Sequence, residues 1–408
     1  MKILNILSQL PMKTGSGVYY SNLLRGLYDR GYEIGAVYGI EKPFESPFSD
    51  LNIKEYKVHY DTDEIPFYIP GMSDKMPYKS TVFSTMSDEE FQIYMKNLEK
   101  ILIKARDEFK PDIVITHHMF IISSLARKVF KDKKIICISH GTDLRQVKKN
   151  PWIKEKYLND LDKMDYYLTL SKLDTEMLIE EFKVEKNKTL VTGGAYDETI
   201  FFEEKTDVGK FSSNETINLV YAGKISRAKG VYELCKAYKN LSSSYNISLD
   251  LIGSAENSEK EELIHLSGGK NFKIYNTKDQ KAMAEILRKK DIFILPSYYE
   301  GLGLMAVEAL ASNLRVVVTN VLGLIELLGE EINSSNIIEY VDLPRLFDVD
   351  KPYEEDIPGF VKRLEEKIAI QIERKAKNVE VDENIKNLIK KLSWQGLTDR
   401  IIKEVIEN

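Results

Sequence analysis

Residues 296–310, PSYYEGLGLMAVEAL, decide how the second half of this chain folds. The apolar run Ile292–Leu295 precedes them, and apolar residues at helical spacing fill their second half. Proline, serine and two glycines between these patterns predict a turn, so the stretch predicts a buried strand, a loop and a helix. Such a junction points free backbone N–H groups at the space above a sheet. The backbone predicted to bind part of a ligand in this way belongs to Gly301, Leu302, Gly303 and Leu304.

Two carboxylates frame this junction, Glu300 in the loop and Glu308 in the helix. With part of the interval helical, they should lie about 10 Å apart, at roughly 1.5 Å of rise per helical residue. That separation is too large for a shared proton, and it suits two carboxylates that bind different hydroxyl groups of one elongated ligand. The alternative is an ordinary amphipathic helix with an acidic first turn and Glu308 on its solvated face.

The order Glu300-Gly-Leu-Gly-Leu, followed by Glu308, resembles the Glu-x7-Glu signature of retaining glycosyltransferases of family 4. This resemblance implies an α/β protein with the GT-B fold, in which two Rossmann-like domains face each other across a cleft. It also implies a nucleotide diphosphate sugar as donor substrate, with no resident cofactor and no metal. By the same resemblance, Glu300 would hold the transferred sugar and Glu308 the ribose.

Length and composition narrow the class of protein. At 408 residues the chain exceeds the usual size of one core, which predicts two domains. A net charge of −6 gives no support for a nucleic-acid-binding protein. Two cysteines, Cys137 and Cys235, lie far apart in apolar runs and are interpreted as reduced core residues. Because no run of about 18 apolar residues exists and the N-terminus looks like a strand, a cytoplasmic protein is expected.

The first βα unit contains two glycines at its turn. A strand over residues 2–7 leads through a loop to a helix over residues 17–30, with Gly15 and Gly17 at the junction. This segment resembles the glycine-rich first loop of GT-B proteins, which lies near the donor diphosphate, so the N–H of Gly17 is predicted to bind the diphosphate. A dinucleotide site is disfavoured, because the third glycine of its fingerprint would fall at Tyr20.

Residues 40–86 interrupt the α/β alternation with five prolines and many aromatic residues. An excursion of this length predicts an insertion that carries a short hairpin. Its tyrosines could offer flat faces and hydroxyls to an acceptor sugar. Packing of the insertion by its own aromatic residues is an equal alternative.

Alternating strands and helices from residue 88 to 191 predict a parallel sheet with its active edge at the carboxyl ends of the strands. His117, His118, His140 and Ser171 follow such strands. The position of His140 resembles that of a histidine that contacts the donor sugar in the family. A metal at His117 and His118 is not expected, because neighbouring residues at a strand end point in opposite directions.

A glycine-rich and then polar stretch, residues 193–213, is predicted to separate two domains. The expected division is residues 1–193 for an acceptor-side domain, 194–390 for a nucleotide-sugar-binding domain, and 391–408 for a last helix that crosses back. After residue 319 the sequence departs from the family, keeping a strand at 336–341 and a charged helix at 356–376.

A basic loop opens the second domain. Lys224, Arg227 and Lys229 precede Gly230 and resemble the family segment in which Arg and Lys hold the diphosphate. Lys229 matches in place, whereas Lys224 stands where the family has arginine, so the bidentate fork is lost and Arg227 is a candidate substitute. Fixed cations are an economical way to stabilise a departing diphosphate when no metal does so. A solvated basic loop is the alternative.

These patterns predict a retaining glycosyltransferase in which Lys229, Glu300 and His140 do the chemistry on a hydroxyl acceptor: a glycan, a glycolipid or a small molecule. The rivals are a sugar-nucleotide epimerase or hydrolase of the same fold and a non-catalytic nucleotide-sugar-binding subunit. Eight basic residues between positions 127 and 149 are compatible with peripheral docking on anionic membrane and, equally, with a solvated face.

Overall fold

The computed structural model describes residues 1–204, 212 and 215–408. The chain divides into two compact units, unit 1 with Met1–Gly193 and Leu397–Asn408, and unit 2 with Gly194–Gly396. Within the predicted boundary segment, residues 205–211 and 213–214 lie outside the described residues.

Unit 1 is built on a seven-stranded sheet with the order β3-β2-β1-β6-β7-β8-β9, in which every neighbouring pair is parallel. Its central strands are buried on both faces, as parallel strands covered by helices must be. The strands of unit 1 are β1 Lys2–Ile6, β2 Glu33–Ile40, β3 Lys54–His59, β4 Pro70–Gly71, β5 Thr81–Val82, β6 Ile113–His117, β7 Lys134–Ile138, β8 Tyr166–Thr169 and β9 Thr189–Val191.

Helices connect these strands, and local capping signals set several of their ends. The helix over residues 88–109 begins with a reciprocal capping box between Ser87 and Glu90. Two short helices follow β7 in succession and are separated by Asn150, whose non-helical backbone is the C-cap of the first and the N-cap of the second. The helices are α1 Gly15–Asp29, α2 Asp88–Phe109, α3 Ile121–Val129, α4 Thr142–Lys149, α5 Pro151–Tyr157 and α6 Lys172–Phe182.

Part of the excursion at residues 40–86 belongs to the main sheet of unit 1. Its strand β3 pairs in parallel with β2 and forms the sheet edge, and β4 pairs in parallel with β5, so the predicted hairpin is wrong. Phe48, Tyr56 and Tyr60 are buried. The aromatic residues of the excursion therefore serve mainly in packing, which favours the packing alternative over a sugar-binding surface.

Unit 2 contains a six-stranded parallel sheet with the order β12-β11-β10-β13-β14-β15 and a small antiparallel pair, β16 with β17. The strand predicted at residues 292–295 has the same bounds in the structure, and the strand predicted at residues 336–341 begins two residues later, at Ile338. The strands are β10 Ile217–Ala222, β11 Ile247–Ile252, β12 Phe272–Tyr275, β13 Ile292–Leu295, β14 Arg315–Thr319, β15 Ile338–Val341, β16 Leu346–Asp348 and β17 Lys351–Pro352.

The helices of unit 2 include two that the sequence patterns did not predict, α11 and α13. Gly329 has a φ of 73° and kinks α11, which explains why its periodicity is weak. The helices are α7 Val231–Leu241, α8 Asn257–Ser267, α9 Gln280–Leu287, α10 Leu304–Ala311, α11 Leu322–Asn333, α12 Ile357–Ala376 and α13 Glu383–Lys390.

The last helix, α14 Trp394–Ile401, continues as a π-helical turn over Ile402–Ile406. From Leu397 onward this segment belongs to unit 1, where Leu397, Ile401 and Val405 are buried. No helix within the described part of the chain is long and apolar enough to cross a bilayer.

Candidate active site

Two helices of unit 2 begin at the point where the strand order reverses. α7 follows β10 and α10 follows β13, and these two strands are neighbours in the centre of the sheet. Gly230 and Gly303 are the N-cap residues, with φ values of 64° and 63°, and neither helix has a side-chain cap. Because uncapped N-termini present free N–H groups and the positive end of the helix dipole, this edge of the sheet suits an anionic ligand.

The loops at this edge are layered so closely that side chains cannot fit between them. A Cβ atom on Gly230 would overlap the carbonyl oxygen of Pro296, and one on Gly253 would overlap that of Gly223. At Gly303, the left-handed φ itself favours glycine. The backbone of the strand-end loops is thereby held in contact, which brings the two helix N-termini to adjacent positions.

Lys229 and Glu300 form an ion pair at this junction. The Nζ of Lys229 lies 2.7 Å from Oε1 of Glu300 and also donates to the carbonyl oxygen of Tyr299 at 3.3 Å. Ser297 Oγ donates to the same carboxylate oxygen at 2.8 Å. Both charged side chains are about three-quarters buried, at 26% and 20% exposure. Lys229 and Glu300, which are predicted to bind different parts of a ligand, are each other's partner in this structure.

The remaining basic residues of the loop have different environments. The guanidinium of Arg227 lies 4.2 Å from the ring centroid of Tyr232 and 3.0 Å from a carboxylate oxygen of Glu262 in α8. Lys224 is exposed, and its ammonium group has no partner among the described residues. Arg227 is therefore already engaged by protein groups, whereas Lys224 has a free ammonium group.

Glu308 lies on the buried side of α10, at 9% exposure, so it is not the solvated residue of the amphipathic-helix alternative. Burial, with a smaller effect from the charge of Asp197, raises the pKa of Glu308 to about 8. At neutral pH the ligand-free side chain is therefore mostly protonated and can both donate and accept a hydrogen bond.

In unit 1, one of the two glycines of the β1–α1 loop, Gly17, is closely packed against backbone. A Cβ atom on Gly17 would lie 2.6 Å from the carbonyl oxygen of Leu10, whereas one on Gly15 would meet no atom within 4 Å. The N–H of Gly17, assigned above to a diphosphate, donates to Oγ1 of Thr14 at 3.1 Å and so completes the N-cap of α1. Close approach of backbone explains Gly17, and a threonine directly before the helical pattern was the signal that could have identified Thr14 as the cap.

Three histidines meet at the carboxyl ends of β6 and β7. The His117 and His118 rings lie 5.3 Å and 5.0 Å from the His140 ring. The argument that His117 and His118 point in opposite directions is wrong, because the φ of His118 is 71° and strand geometry has ended there. Burial lowers the pKa of all three, that of His118 to about 4, so the cluster is neutral. No three-ligand metal cluster occurs among the described residues.

Asp143 joins the two loops that carry these histidines. Its carboxylate accepts hydrogen bonds from the N–H groups of Met119 at 2.7 Å, His140 at 3.2 Å and Leu144 at 3.1 Å. Gly141, with a φ of 71°, makes the turn that brings the carboxylate back. Asn5 also reaches the cluster from the middle of β1, and its place as the single polar residue in the run of residues 3–7 was the signal that could have found it.

Two α/β units, each built on a parallel sheet, are the architecture of the GT-B fold, and comparison with known proteins agrees. Residues 203–340 match the family of glycosyl transferases group 1, and residues 13–197 match glycosyltransferase family 4. The chain is a glycosyltransferase with the GT-B fold.

Individual relatives cover most of the chain. An uncharacterized glycosyltransferase of Methanocaldococcus jannaschii is 26% identical over 311 residues, which cover 71% of this chain and 76% of the relative. A glycosyltransferase structure from Rickettsia africae ESF-5 aligns with 100% of this chain and 99% of its own, with a TM-score of 0.66 and 16% identity. The Anabaena protein HepE, solved with UDP and glucose, aligns over 100% of both chains with a TM-score of 0.61 and 14% identity.

Proposed function

We propose that this glycosyltransferase transfers a sugar, with retention of anomeric configuration, from a nucleotide diphosphate sugar to a hydroxyl group of an acceptor. The observation that carries the proposal is the Lys229–Glu300 pair between two uncapped helix N-termini at adjacent strand ends. A cation, free N–H groups and helix dipoles suit a diphosphate, and a carboxylate beside them suits sugar hydroxyls. UDP and glucose bound to HepE support a donor of this kind.

Each residue of unit 2 then has a separate task. On donor binding, Lys229 would exchange its bond to Glu300 for the diphosphate, with Lys224 as the second cation. Glu300 would turn to hydroxyl groups of the transferred sugar, and the N–H groups near Gly301 and Gly303 would bind the phosphates. Glu308 would bind the ribose hydroxyls, where its burial makes each hydrogen bond stronger than in water.

For the reaction itself we propose front-face transfer. The bond from the anomeric carbon to the diphosphate oxygen breaks while the acceptor oxygen forms the new glycosidic bond on the same face. The acceptor proton passes to the leaving phosphate oxygen, so no pair of carboxylates at about 5 Å is required. His140 of unit 1, which the family resemblance matches to a sugar-contacting histidine, would bind the sugar and stabilise positive charge at the anomeric carbon.

Isothermal titration of nucleoside diphosphates against two variants tests the donor site. Glu300→Ala should keep nearly unchanged affinity for the bare nucleoside diphosphate while kcat falls strongly. Glu308→Ala should lose about 1.5–3 kcal/mol of affinity, roughly ten- to hundredfold in Kd. Equal losses in both variants, or none in Glu308→Ala, would contradict these assignments.

A transfer assay separates the proposal from an epimerase or hydrolase of the same fold. Donors are first screened by the thermal stabilisation that binding produces. Turnover of the best donor should then require an added hydroxyl acceptor. Comparable turnover without acceptor would instead favour the hydrolase or epimerase.

A further inference from the structure

Asn5, His117 and His140 form a continuous line of hydrogen bonds inside unit 1. His117 Nε2 lies 3.2 Å from Asn5 Oδ1, and His117 Nδ1 lies 3.0 Å from His140 Nε2. The two imidazole rings are nearly parallel, with an interplanar angle of 13°. The three residues come from β1, the end of β6 and the loop after β7, which are neighbouring strands, so the sheet itself fixes their spacing.

The direction of these hydrogen bonds follows from what each atom can do. With Oδ1 of Asn5 facing the ring, the amide oxygen accepts, so Nε2 of His117 carries the hydrogen. A neutral imidazole has one donor and one acceptor nitrogen, so Nδ1 of His117 accepts and Nε2 of His140 donates to it. The remaining nitrogen of His140, Nδ1, is then left with a lone pair.

The surroundings keep the two rings neutral. His117 is buried among the rings of Tyr19, Tyr20 and His140. Burial lowers the pKa of both His117 and His140 well below the ordinary value. The nearest acidic group on a packed element, Asp143 of α4, already accepts hydrogen bonds from the N–H groups of Met119 and His140. In a neutral pair each ring carries one proton. Each ring therefore has one donor and one acceptor nitrogen, as the directions of the hydrogen bonds described above require.

Of the three clustered histidines, His140 is the one that reaches the surface. It keeps 9% exposure, whereas His117 and His118 keep 0% and 1%. His140 Nδ1 has no hydrogen-bond partner among the residues that the structure describes. The nitrogen with the lone pair is thus the one available to a ligand.

We propose that Asn5 and His117 are positioning residues, which fix the tautomer of His140 so that Nδ1 presents a lone pair to the donor sugar. The inference rests on the proposed function of His140. A lone pair accepts a hydrogen bond from a sugar hydroxyl and attracts positive charge at the anomeric carbon, whereas an N–H at the same place would do neither. Asn5 thereby controls a surface nitrogen through two intervening hydrogen bonds.

Nuclear magnetic resonance of the full chain with ¹⁵N-labelled histidine tests the tautomer directly. The chain has five histidines, so the spectrum is simple, and loss of one signal set in His140→Ala assigns that residue. The wild-type spectrum should show the hydrogen of His140 on Nε2. Asn5→Leu removes the acceptor, which frees His117 to protonate Nδ1, and the His140 signals should move toward the Nδ1–H form.

Matched variants separate the relay from general damage to the core. Thr116→Val disturbs a buried hydrogen bond of the strand that carries His117, to Ser123 at 2.8 Å, and should leave the His140 signals in place. If Asn5→Leu does not fold, His117→Phe keeps the aromatic ring without its nitrogens and should also mix the His140 tautomers.

Activity measurements complete the test. Asn5→Leu should lower kcat about tenfold with the donor KM within about twofold, whereas Thr116→Val should leave both close to the wild-type values. A wild-type hydrogen on Nδ1 of His140, or unchanged His140 signals in folded Asn5→Leu, would overturn the proposal. Failure of the proposed function gives a different result, namely no acceptor-dependent donor turnover by the wild-type chain, and failure of the His140 role alone gives wild-type transfer by His140→Ala.

Discussion

At the scale of single residues, neighbouring groups fix the contacts and the protonation state of the side chains in the candidate site. Lys229 is held by Glu300, and Glu308 is held by burial in a mostly protonated form. A donor would therefore have to replace these existing contacts. Because only a ligand with suitable charge and hydroxyl groups can replace them, they contribute to selectivity among donors. Two substitutions test this description.

Lys229→Ala should lower kcat/KM at least tenfold. It removes a charge-assisted contact worth about 1.5–3 kcal/mol to the bound diphosphate, and more as charge develops on the leaving group. Steady-state kinetics with several donors measures the effect. Lys281→Ala, an exposed lysine of α9, is the matched control and should retain wild-type kinetics. Full kcat/KM in Lys229→Ala on every donor would remove Lys229 from the site.

Glu308→Gln should stabilise the ligand-free chain increasingly as pH rises. The pKa of Glu308 is raised from 4.5 to about 8, so between these values the folded chain binds a proton that the unfolded chain has lost. Wild-type stability then falls with pH across that window, by up to about 1.4 kcal/mol per pH unit, whereas glutamine has no such proton. Denaturant unfolding at pH 5 and pH 8 measures the difference. Exposed Glu366→Gln should show no such trend, and a gap between Glu308→Gln and wild type that does not grow with pH would contradict the buried, protonated state.

At the scale of elements, the site depends on helix starts more than on helix faces. α7 and α10 both begin at a left-handed glycine directly after neighbouring strands, and the strand-end loops between them touch through backbone atoms. The geometry that gathers free N–H groups is thus a property of loops that exclude side chains.

Gly230→Ala should destabilise unit 2. The new Cβ would overlap the carbonyl oxygen of Pro296, and a left-handed φ adds a cost of roughly 1 kcal/mol. A total loss of about 2 kcal/mol or more should lower Tm by several degrees. Gly301→Ala is the control, because a Cβ there would meet no atom within 4 Å. Equal melting temperatures for the two variants would argue against the layered loops.

At the scale of the whole molecule, the chain returns to unit 1 for its last twelve residues. Leu397, Ile401 and Val405 are buried there, and Gly26 of α1 leaves room for Thr398. Arg30 pairs with Asp399 at 2.6 Å. The first and last helices of the chain are therefore parts of one core, although they are separated by all of unit 2.

Deleting residues 397–408 should unfold unit 1. Three fully buried apolar side chains contribute roughly 1.5–3 kcal/mol each, a sum comparable to the net stability of a domain. Limited proteolysis and thermal unfolding measure the loss. Deletion of Asn408 alone removes an exposed residue and serves as control. A truncated chain with wild-type melting behaviour would show that the last helix adds little to the core.

Vesicle sedimentation tests membrane docking by the basic stretch at residues 127–149. The structure pairs Lys128 with Glu99 at 2.6 Å and Lys149 with Asp74, and Arg127 binds backbone carbonyl groups. Each free, well-placed basic residue contributes about 1 kcal/mol to binding of an anionic membrane. Because these three basic residues are engaged by protein groups, we expect no sedimentation with anionic vesicles at physiological salt. Binding at low salt that persists at physiological salt would restore the membrane interpretation.

Local pattern was sufficient for much of this protein. Short apolar runs between helical patterns predicted most strands of both sheets, since a buried parallel strand must be apolar on both faces. Glycines at strand ends and the spacing of Glu300 and Glu308 located the candidate donor site, because phosphate-binding loops need side-chain-free backbone. The pattern did not predict α11, because the glycine at its kink masks the helical periodicity. It also did not predict the sheet strand β3, because residues 40–86 lack clear alternation.

Only the tertiary structure decided which residues act on one another. The pairing of Lys229 with Glu300 spans 71 positions, and the line from Asn5 through His117 to His140 spans three strands. Sequence spacing carries no information about such contacts, because the order of strands in the sheet sets them. The burial that raises the pKa of Glu308 and keeps the histidines neutral also arises only when distant segments exclude water together. Local patterns therefore account for most of the elements and for the residue types at their ends, whereas the packing of those elements sets the protonation state and partner of each group.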